Sequence, residues 1–418
     1  MQSFQYANRQ LCAENVPLTE VAAEFGTPCF VYSRAAIESQ WLSYDRAFAD
    51  RAHLICYSVK ANSNLAILNL LARMGSGFDI VSGGELRRVL QSGGEPGKII
   101  FSGVGKTRQE MQEAILAGIK CFNVESRSEL LVLDSVAGEM NKLAPVSLRV
   151  NPDVDANTHP YIATGLRENK FGIDIDEAEE IYQEAMSLSH LQVEGIDCHI
   201  GSQITSVEPY LDAVGRLMSM VNRLRDRGIR IQHIDVGGGF GITYKNETPP
   251  MPFTFIEKII QAVPDPSLEI LLEPGRSIVG NAGLLLTRVL YIKKGIEKNF
   301  AIVDAAMNDL IRPPLYDAWQ EIVPVCQESE AKPERYDIVG PICESGDFLG
   351  LDRDLALREG DLLAVYGAGA YGFCMSSNYN TRPRAAEILV DAGQAHLVRQ
   401  RESIEDLMRG EEILPEQL

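Results

Sequence analysis

Three groups of residues in this chain could do chemistry together. Lys60 closes the apolar run HLICYSVK (53–60), a glycine-rich loop GGGFG occupies 237–241, and Glu273 and Arg276 bracket the run EPGR. A lysine held at a buried rim loses its ammonium form more readily, and the free amine is what a Schiff base needs. A glycine run exposes several backbone N–H groups because no Cβ blocks close approach, which suits a phosphate. EPGR ends the next strand-like run, so two adjacent strand ends would converge on one anion. No Walker pattern accompanies them, which argues against a nucleoside triphosphate. Each feature also has a plain reading: a solvated lysine, a flexible turn, and a salt bridge between Glu273 and Arg276. In the chemical reading Glu273 faces a ring nitrogen and keeps it protonated, so that the resulting pyridinium accepts electrons.

Other polar residues end apolar runs in the same way. Asp79 with Ser82, Ser102, Glu125, Arg149 with Asn151, and His199 with Ser202 all stand where a strand-like run stops. One or two such positions would be ordinary loop starts; eight in succession are a signal. Later in the chain, GPICESGD (340–347) carries Cys343 beside Glu344 in a polar loop where a thiol can titrate. YGAGAYG (366–372) presents Tyr371 between glycines, as a loop anchor or a phosphate contact. DLIRPPLYDA (309–318) offers Arg312 and Tyr316, as packing residues or as the grip on a substrate carboxylate.

The elements that must position these residues are legible as an alternation. Strand-like runs at 53–60, 77–83, 98–104, 120–126, 145–151, 193–201, 231–239 and 269–276 read as continuously hydrophobic and are separated by amphipathic helical segments. Asn62 and Ser63 are cap candidates for a helix with the stripe Leu65, Ile67, Leu68 and Leu71; Thr107 with Glu110 and Ser126 with Glu129 fit the capping box; the segment 207–228 ends at a glycine stop. Eight such units over about 220 residues predict an α/β fold with a closed parallel (β/α)8 TIM barrel, whose active site lies at the C-terminal strand ends. After residue 276 strand-like runs alternate with turns (TRVLYIKK, NFAIVDAAM, RYDIVGPI, DLLAVYGAG, AAEILVDAG), and TPCFVYS (27–33) is a further strand. The expected organisation is a barrel over 36–275 and a mainly β second domain from 1–35 and 276–418.

The bulk properties narrow the class. The formal charge of −19 excludes a nucleic-acid partner as an expectation, because no basic cluster offsets it. The first twenty residues carry neither a basic stretch nor an apolar run, and no stretch approaches about 18 apolar residues, so a cytoplasmic protein without membrane association is expected. The eight cysteines include no CxxC pair, which reads as reduced thiols rather than disulfides or a metal centre; all but one of Cys343's seven companions are expected to be inert core fillers.

With these motifs in order (YSVKAN, FDIVSGGEL, ENKFGI, HIGSQ, DVGGGFG, EPGR, NDLIRPPLYDA, CESGD and GAYG), the chain resembles the fold-type III pyridoxal-phosphate-dependent decarboxylases from about residue 25 to about 400. The resemblance implies the alanine racemase/ornithine decarboxylase-like architecture, pyridoxal 5'-phosphate as cofactor, and a homodimer with shared active sites. It implies that Lys60 forms the Schiff base, that His199 stacks on the ring and that Glu273 meets the ring nitrogen. The implied cofactor set is Lys60, Asp79, His199, Ser202, Gly238, Gly239, Glu273, Gly275, Arg276 and Tyr371, and the implied substrate set is Arg276, Arg312, Tyr316, Glu344 and Tyr371. Cys343 is implied as proton donor, arriving with Glu344 from the partner subunit. The branch resembled most acts on meso-2,6-diaminopimelate, giving L-lysine and CO2. Alternatives are a relative acting on another basic amino acid or a carboxylated polyamine, a racemase of the same barrel type, and an inactive regulatory homologue. Glu273 speaks against the racemase, Arg312 favours a dicarboxylate substrate, and the presence of both Lys60 and Cys343 speaks against the inactive form.

Overall fold

The computed structural model describes residues 4–155, 169–327 and 331–415. The chain divides into two compact units, one of residues 37–279 and one of residues 1–36 with 280–418.

In the first unit eight parallel strands form a closed barrel. They are β1 (His53–Ser58), β2 (Gly77–Ile80), β3 (Ile99–Phe101), β4 (Cys121–Val124), β5 (Ala144–Asn151), β6 (Leu191–Asp197), β7 (His233–Asp235) and β8 (Glu269–Leu272). Each pairs with the next, and β8 returns to β1 with Ile270 opposite His53, so the sheet has no edge. All eight runs read from the sequence are present; seven are trimmed at their polar end, while β5 keeps its run through Asn151.

Seven helices follow the first seven strands: α1 (Leu65–Arg73), α2 (Gly83–Gln91), α3 (Arg108–Ala117), α4 (Arg127–Glu139), α5 (Ile175–Ser187), α6 (Glu208–Asp226) and α7 (Pro252–Ala262). Five of them, α1 to α5, start on a side-chain cap. Thr107 and Glu110 form the full capping box at α3. At α4 only half of the expected box forms: Ser126 accepts from the Glu129 amide, while the Glu129 carboxylate accepts from the amide of Glu125 and binds Lys106 at 2.8 Å. The cap of α1 is Asn64, not Asn62 or Ser63; Asn62 instead accepts from the Asn64 amide and fixes the cap itself. Helix α6 ends before Gly228, whose φ of +81° reverses the chain as expected of a glycine stop.

The strands alternate between an outer and an inner face, with a register shift in β6 between Val193 and Gly195. The inner face is apolar only low in the barrel, where Cys56, Ile100, Cys121 and Leu271 pack together. Above them it turns polar, with Ser58, Asp79, Ser102, Asn123, Arg149, Asp197 and Asp235 all buried. Two contacts between non-adjacent strands show that these side chains meet inside: Ser102 Oγ donates to Glu273 Oε1 at 3.4 Å, and Cys121 Sγ lies 3.8 Å from His233 Nε2. The continuously hydrophobic strands expected from sequence are thus hydrophobic outward, toward the helices, and polar inward near the strand ends.

The second unit is mainly β. Cys29–Ser33 lies between Gly283–Lys294, antiparallel to it, and Ala386–Asp391, parallel to it. Gly283–Lys294 is long enough to pair also with Asn299–Val303 and Leu362–Val365. Leu284, Leu286, Val31, Ile388 and Val390 form its core with Leu11, Val16 and Val21 from the N-terminal segment. None of the described helices is long and apolar enough to cross a membrane.

Candidate active site

Lys60 stands in a single helical turn, Val59–Ala61, immediately after β1. Its Nζ donates to Asp79 Oδ2 at 2.5 Å, and the same oxygen accepts from Ser58 Oγ at 2.6 Å. Asp79 is fully buried, whereas the Lys60 side chain is 32% exposed. Sequence reasoning therefore overstated its burial: the amine is held by a carboxylate at the barrel mouth, not sealed in an apolar pocket.

The glycine loop follows β7. The Gly237 amide donates to Asp235 Oδ1 at 2.9 Å, and the Gly238 amide donates to His199 Nδ1 at 3.1 Å. Side chains are excluded here: a Cβ on Gly238 would lie 2.1 Å from the Glu273 carbonyl oxygen, and one on Gly239 would lie 2.1 Å from that of Gly201. Gly275 is confined less tightly, a Cβ there lying 2.8 Å from Ser58 Cβ and 2.9 Å from Ala61 Cβ. Next to this bare backbone, Arg276 is buried, donating to Tyr244 Oη at 2.7 Å and to Ser202 Oγ at 3.0 Å. Backbone amides without side chains, two hydroxyls and a buried guanidinium suit a dianionic phosphate. Tyr244 escaped the sequence reading because it lies in an irregular loop with no pattern to mark it.

His199 is uncharged. Burial first, then the positive Arg149 and Lys60, push its pKa down to about 3. The hydrogen bond from Gly238 makes Nδ1 the acceptor and leaves the proton on Nε2. Glu273 is buried at the end of β8, with Ser102 at 3.4 Å on one oxygen and His199 Nδ1 at 3.5 Å from the other. Burial raises its pKa while Lys60 and Arg149 pull it down, so a cation placed beside it favours the carboxylate form. That is the setting a protonated ring nitrogen requires. The arrangement fits pyridoxal phosphate at both ends, an acid for the ring and a bare loop with Arg276 for the phosphate.

Behind these groups Arg149 is ion-paired with Glu125 at 2.7 Å. Glu125 also accepts from the amides of Gly103 and Gly172, tying three strand-end loops together. Two further buried acids, Asp197 and Asp235, face the same interior and were not singled out from the sequence. Their signal is the apolar–Asp alternation in GIDCHIG and HIDVGGG. Glu168 of the ENKFGI run lies with the rest of residues 156–168 outside the described residues.

The structure thus brings together Lys60, Asp79, His199, Ser202, Gly238, Gly239, Glu273, Gly275 and Arg276. Arg312, Tyr316, Cys343, Glu344 and Tyr371 belong to the other unit. There Arg312 is buried at the start of the short helix Arg312–Tyr316, 5.8 Å from the Tyr316 ring. Tyr371 has φ +55°, a left-handed conformation unusual for a residue with a large side chain. Cys343 and Glu344 are exposed; the Cys343 amide donates to Asn380 Oδ1 at 2.9 Å. Buried Asp347 shapes their loop by accepting from the amides of Met307 and Ile342. All eight cysteines are unbridged, but Cys326 and Cys374 are exposed along with Cys343, so five rather than six of the others are core fillers. A cavity of about 900 Å³ lined by Lys120, Glu194, Arg230 and Glu269 lies at the opposite, N-terminal strand ends, away from these groups.

Residues 34–280 match the family described as "Pyridoxal-dependent decarboxylase, pyridoxal binding domain". The chain is 60% identical over its whole length to the diaminopimelate decarboxylase of Pseudomonas aeruginosa and 56% identical to that of Vibrio cholerae, covering all of both. Among solved structures it is similar to the diaminopimelate decarboxylase from Helicobacter pylori complexed with L-lysine. The TM-score is 0.91 and the identity 42%, covering 94% of this chain and 98% of that one.

Proposed function

This chain belongs to the pyridoxal-dependent decarboxylase family, and we propose that it converts meso-2,6-diaminopimelate to L-lysine and CO2, the last step of lysine biosynthesis. The observation that carries the reading is the buried Glu273 carboxylate at the end of β8, one strand from the glycine loop and one strand from Lys60. A racemase of this barrel type would present a guanidinium there instead. The identity to named diaminopimelate decarboxylases over the full chain supports the substrate.

Bound pyridoxal phosphate supplies the electron sink that accepts the pair left on the substrate carbon as CO2 departs. Lys60 is the amine that attaches it, and Asp79 orients that amine through its 2.5 Å hydrogen bond. The amide of Gly239, with Ser202, Gly275, Arg276 and Tyr371, holds the phosphate, and Gly238 lies against it while its own amide serves His199. Glu273 accepts a hydrogen bond from the protonated ring nitrogen and so keeps it protonated, and neutral His199 packs against the ring without adding a competing charge. Arg312 grips the far carboxylate of the substrate with its planar fork, with Tyr316 beside it, and Glu344 takes the far ammonium. Arg276 and Tyr371 also face substrate.

We assign Cys343 as the group that protonates the α-carbon after CO2 leaves. Cys343 and Glu344 of one chain serve the site of a second chain in a homodimer. Their exposure on the single chain supports this, because a proton donor needed at a buried site is otherwise wasted on the surface. The unbridged thiols support a cytoplasmic setting. The experiment is to follow carboxyl-labelled meso-diaminopimelate with the cofactor-loaded protein. Labelled CO2 and L-lysine should appear in equal amounts; release without lysine, or no release, would refute the assignment.

A further inference from the structure

The acids inside the barrel outnumber the bases that face them. Lys60 is ion-paired with Asp79, and Arg149 with Glu125. His199 and His233 are uncharged, burial holding each near a pKa of about 3, and the buried thiols Cys56 and Cys198 are held neutral as well. Three carboxyl groups remain: Asp197 from β6, Asp235 from β7 and Glu273 at the end of β8, exposed by 1%, 0% and 3%. One oxygen of each lies within 4.8 Å of the other two.

We propose that Asp197 and Asp235 are positioning residues that each hold a proton, leaving Glu273 as the single anion of the trio, facing the ring nitrogen. The inference rests on the assignment of Glu273 given above. Like charges at that spacing, walled from water, cannot all persist, as with any carboxylates that share a site. Which of the three keeps its charge follows from the neighbours. Burial raises Glu273 as well, but it alone of the three has both Lys60 and Arg149 acting in its favour, with Ser102 donating to it. Asp235 has no cation among its main influences; one oxygen accepts from the Gly237 amide, and Oδ2 has no hydrogen-bond partner. Asp197 feels Arg149, as Glu273 does, but has no second cation such as Lys60 among its main influences, and its Oδ1 is equally without a hydrogen-bond partner. A neutral acid tolerates such a place far better than a carboxylate does. Burial and the neighbouring acids drive both aspartates well above their usual range. The protonated pair therefore prevents a pile-up of negative charge beneath the cofactor, while Asp235 braces the phosphate loop through Gly237.

Infrared spectroscopy reads this directly. The cofactor-loaded protein would be measured at a pH of about 8.5, well above the ordinary carboxylate range and above the pKa near 7 to which burial pushes Glu85 and Asp309. The expected result is a carbonyl stretch of protonated carboxylic acid that shifts when aspartate is labelled with carbon-13 and stays when glutamate is labelled. D197N and D235N should each remove one part of it; should either variant fail to fold, the labelled wild-type protein decides alone. Absence of the acid band, or a band that follows the glutamate label, overturns the proposal. So does tightly bound metal in elemental analysis together with no acid band, since a cation would then be balancing three carboxylates. Turnover is read separately. A protein that decarboxylates diaminopimelate without the aspartate band refutes only this inference, and a band in a protein without turnover refutes only the proposed function.

Discussion

The amide of Gly238 donates to Nδ1 of His199 at 3.1 Å, so the loop that leaves β7 dictates which imidazole nitrogen carries the proton in the neighbouring strand end. The bond requires an unprotonated Nδ1, and burial enforces the same state. A second histidine, His233, is uncharged for the same reason and fills the space left by Gly195, where a Cβ would lie 2.0 Å from its ring.

Both histidines make the protein acid-sensitive in a definite direction. Burial depresses the folded pKa from 6.5 to about 3, so the unfolded chain takes up the proton first. The contribution is present above pH 6.5 and is lost as the pH falls toward 3. Between pH 8 and pH 5 each histidine should cost about 2 kcal/mol of folding stability. His233→Gln removes one such contribution, so its destabilisation relative to wild type should shrink by about that amount over the same interval. Denaturant titrations at the two pH values check this; a constant difference would mean that His233 takes up its proton in the folded protein as readily as in the unfolded chain.

Lys60→Ala should abolish the visible absorbance of the cofactor-loaded protein and the lysine adduct trapped by borohydride. Trapping of the cofactor at another lysine would show that the amine next to Asp79 is not the attachment point.

How much of this was readable in advance depends on what local periodicity can carry. Lys60, the glycine loop and Glu273 stood out because each ends an apolar run, and a closed barrel brings all such ends to one rim. Asp197 and Asp235 did not, because each lies inside its run and matters only through partners on other strands. The same holds for Ser102, which was noted as a strand end but whose contact to Glu273 joins β3 to β8 across the interior. In the second unit, Gln394–Arg399 was missed because this strand has no fully buried residue and so lacks the apolar alternation by which strands are recognised. Phe348–Leu355 hides similarly behind exposed Asp352 and Asp354.

The assignment of Cys343 across a subunit boundary is tested by complementation. Lys60→Ala and Cys343→Ala proteins, each inactive, should recover up to about a quarter of wild-type activity when subunits exchange, since statistical mixing makes half the dimers hybrids with one intact site of two. No recovery, with exchange demonstrated by differently tagged chains, would place a complete site within each chain.

Arg312→Ala should lower turnover of diaminopimelate by about 100-fold, the loss expected from a charge-assisted contact of about 3 kcal/mol. Its visible spectrum should be that of wild type, because the proposed role of Arg312 is to hold the substrate and not the cofactor. Near-normal turnover would shift the far-carboxylate contact to another residue.

The most direct test compares kcat/KM for CO2 release from meso-diaminopimelate, ornithine, arginine and lysine with the same cofactor-loaded protein. A site that pairs both charges at the far end of its substrate penalises any ligand that leaves one of them unpaired. Diaminopimelate should therefore exceed each of the other three by about 100-fold or more, with lysine turned over poorly enough to survive as product. Decarboxylation of lysine or ornithine at a comparable rate would contradict the account, since it would mean that the site does not require the second carboxylate.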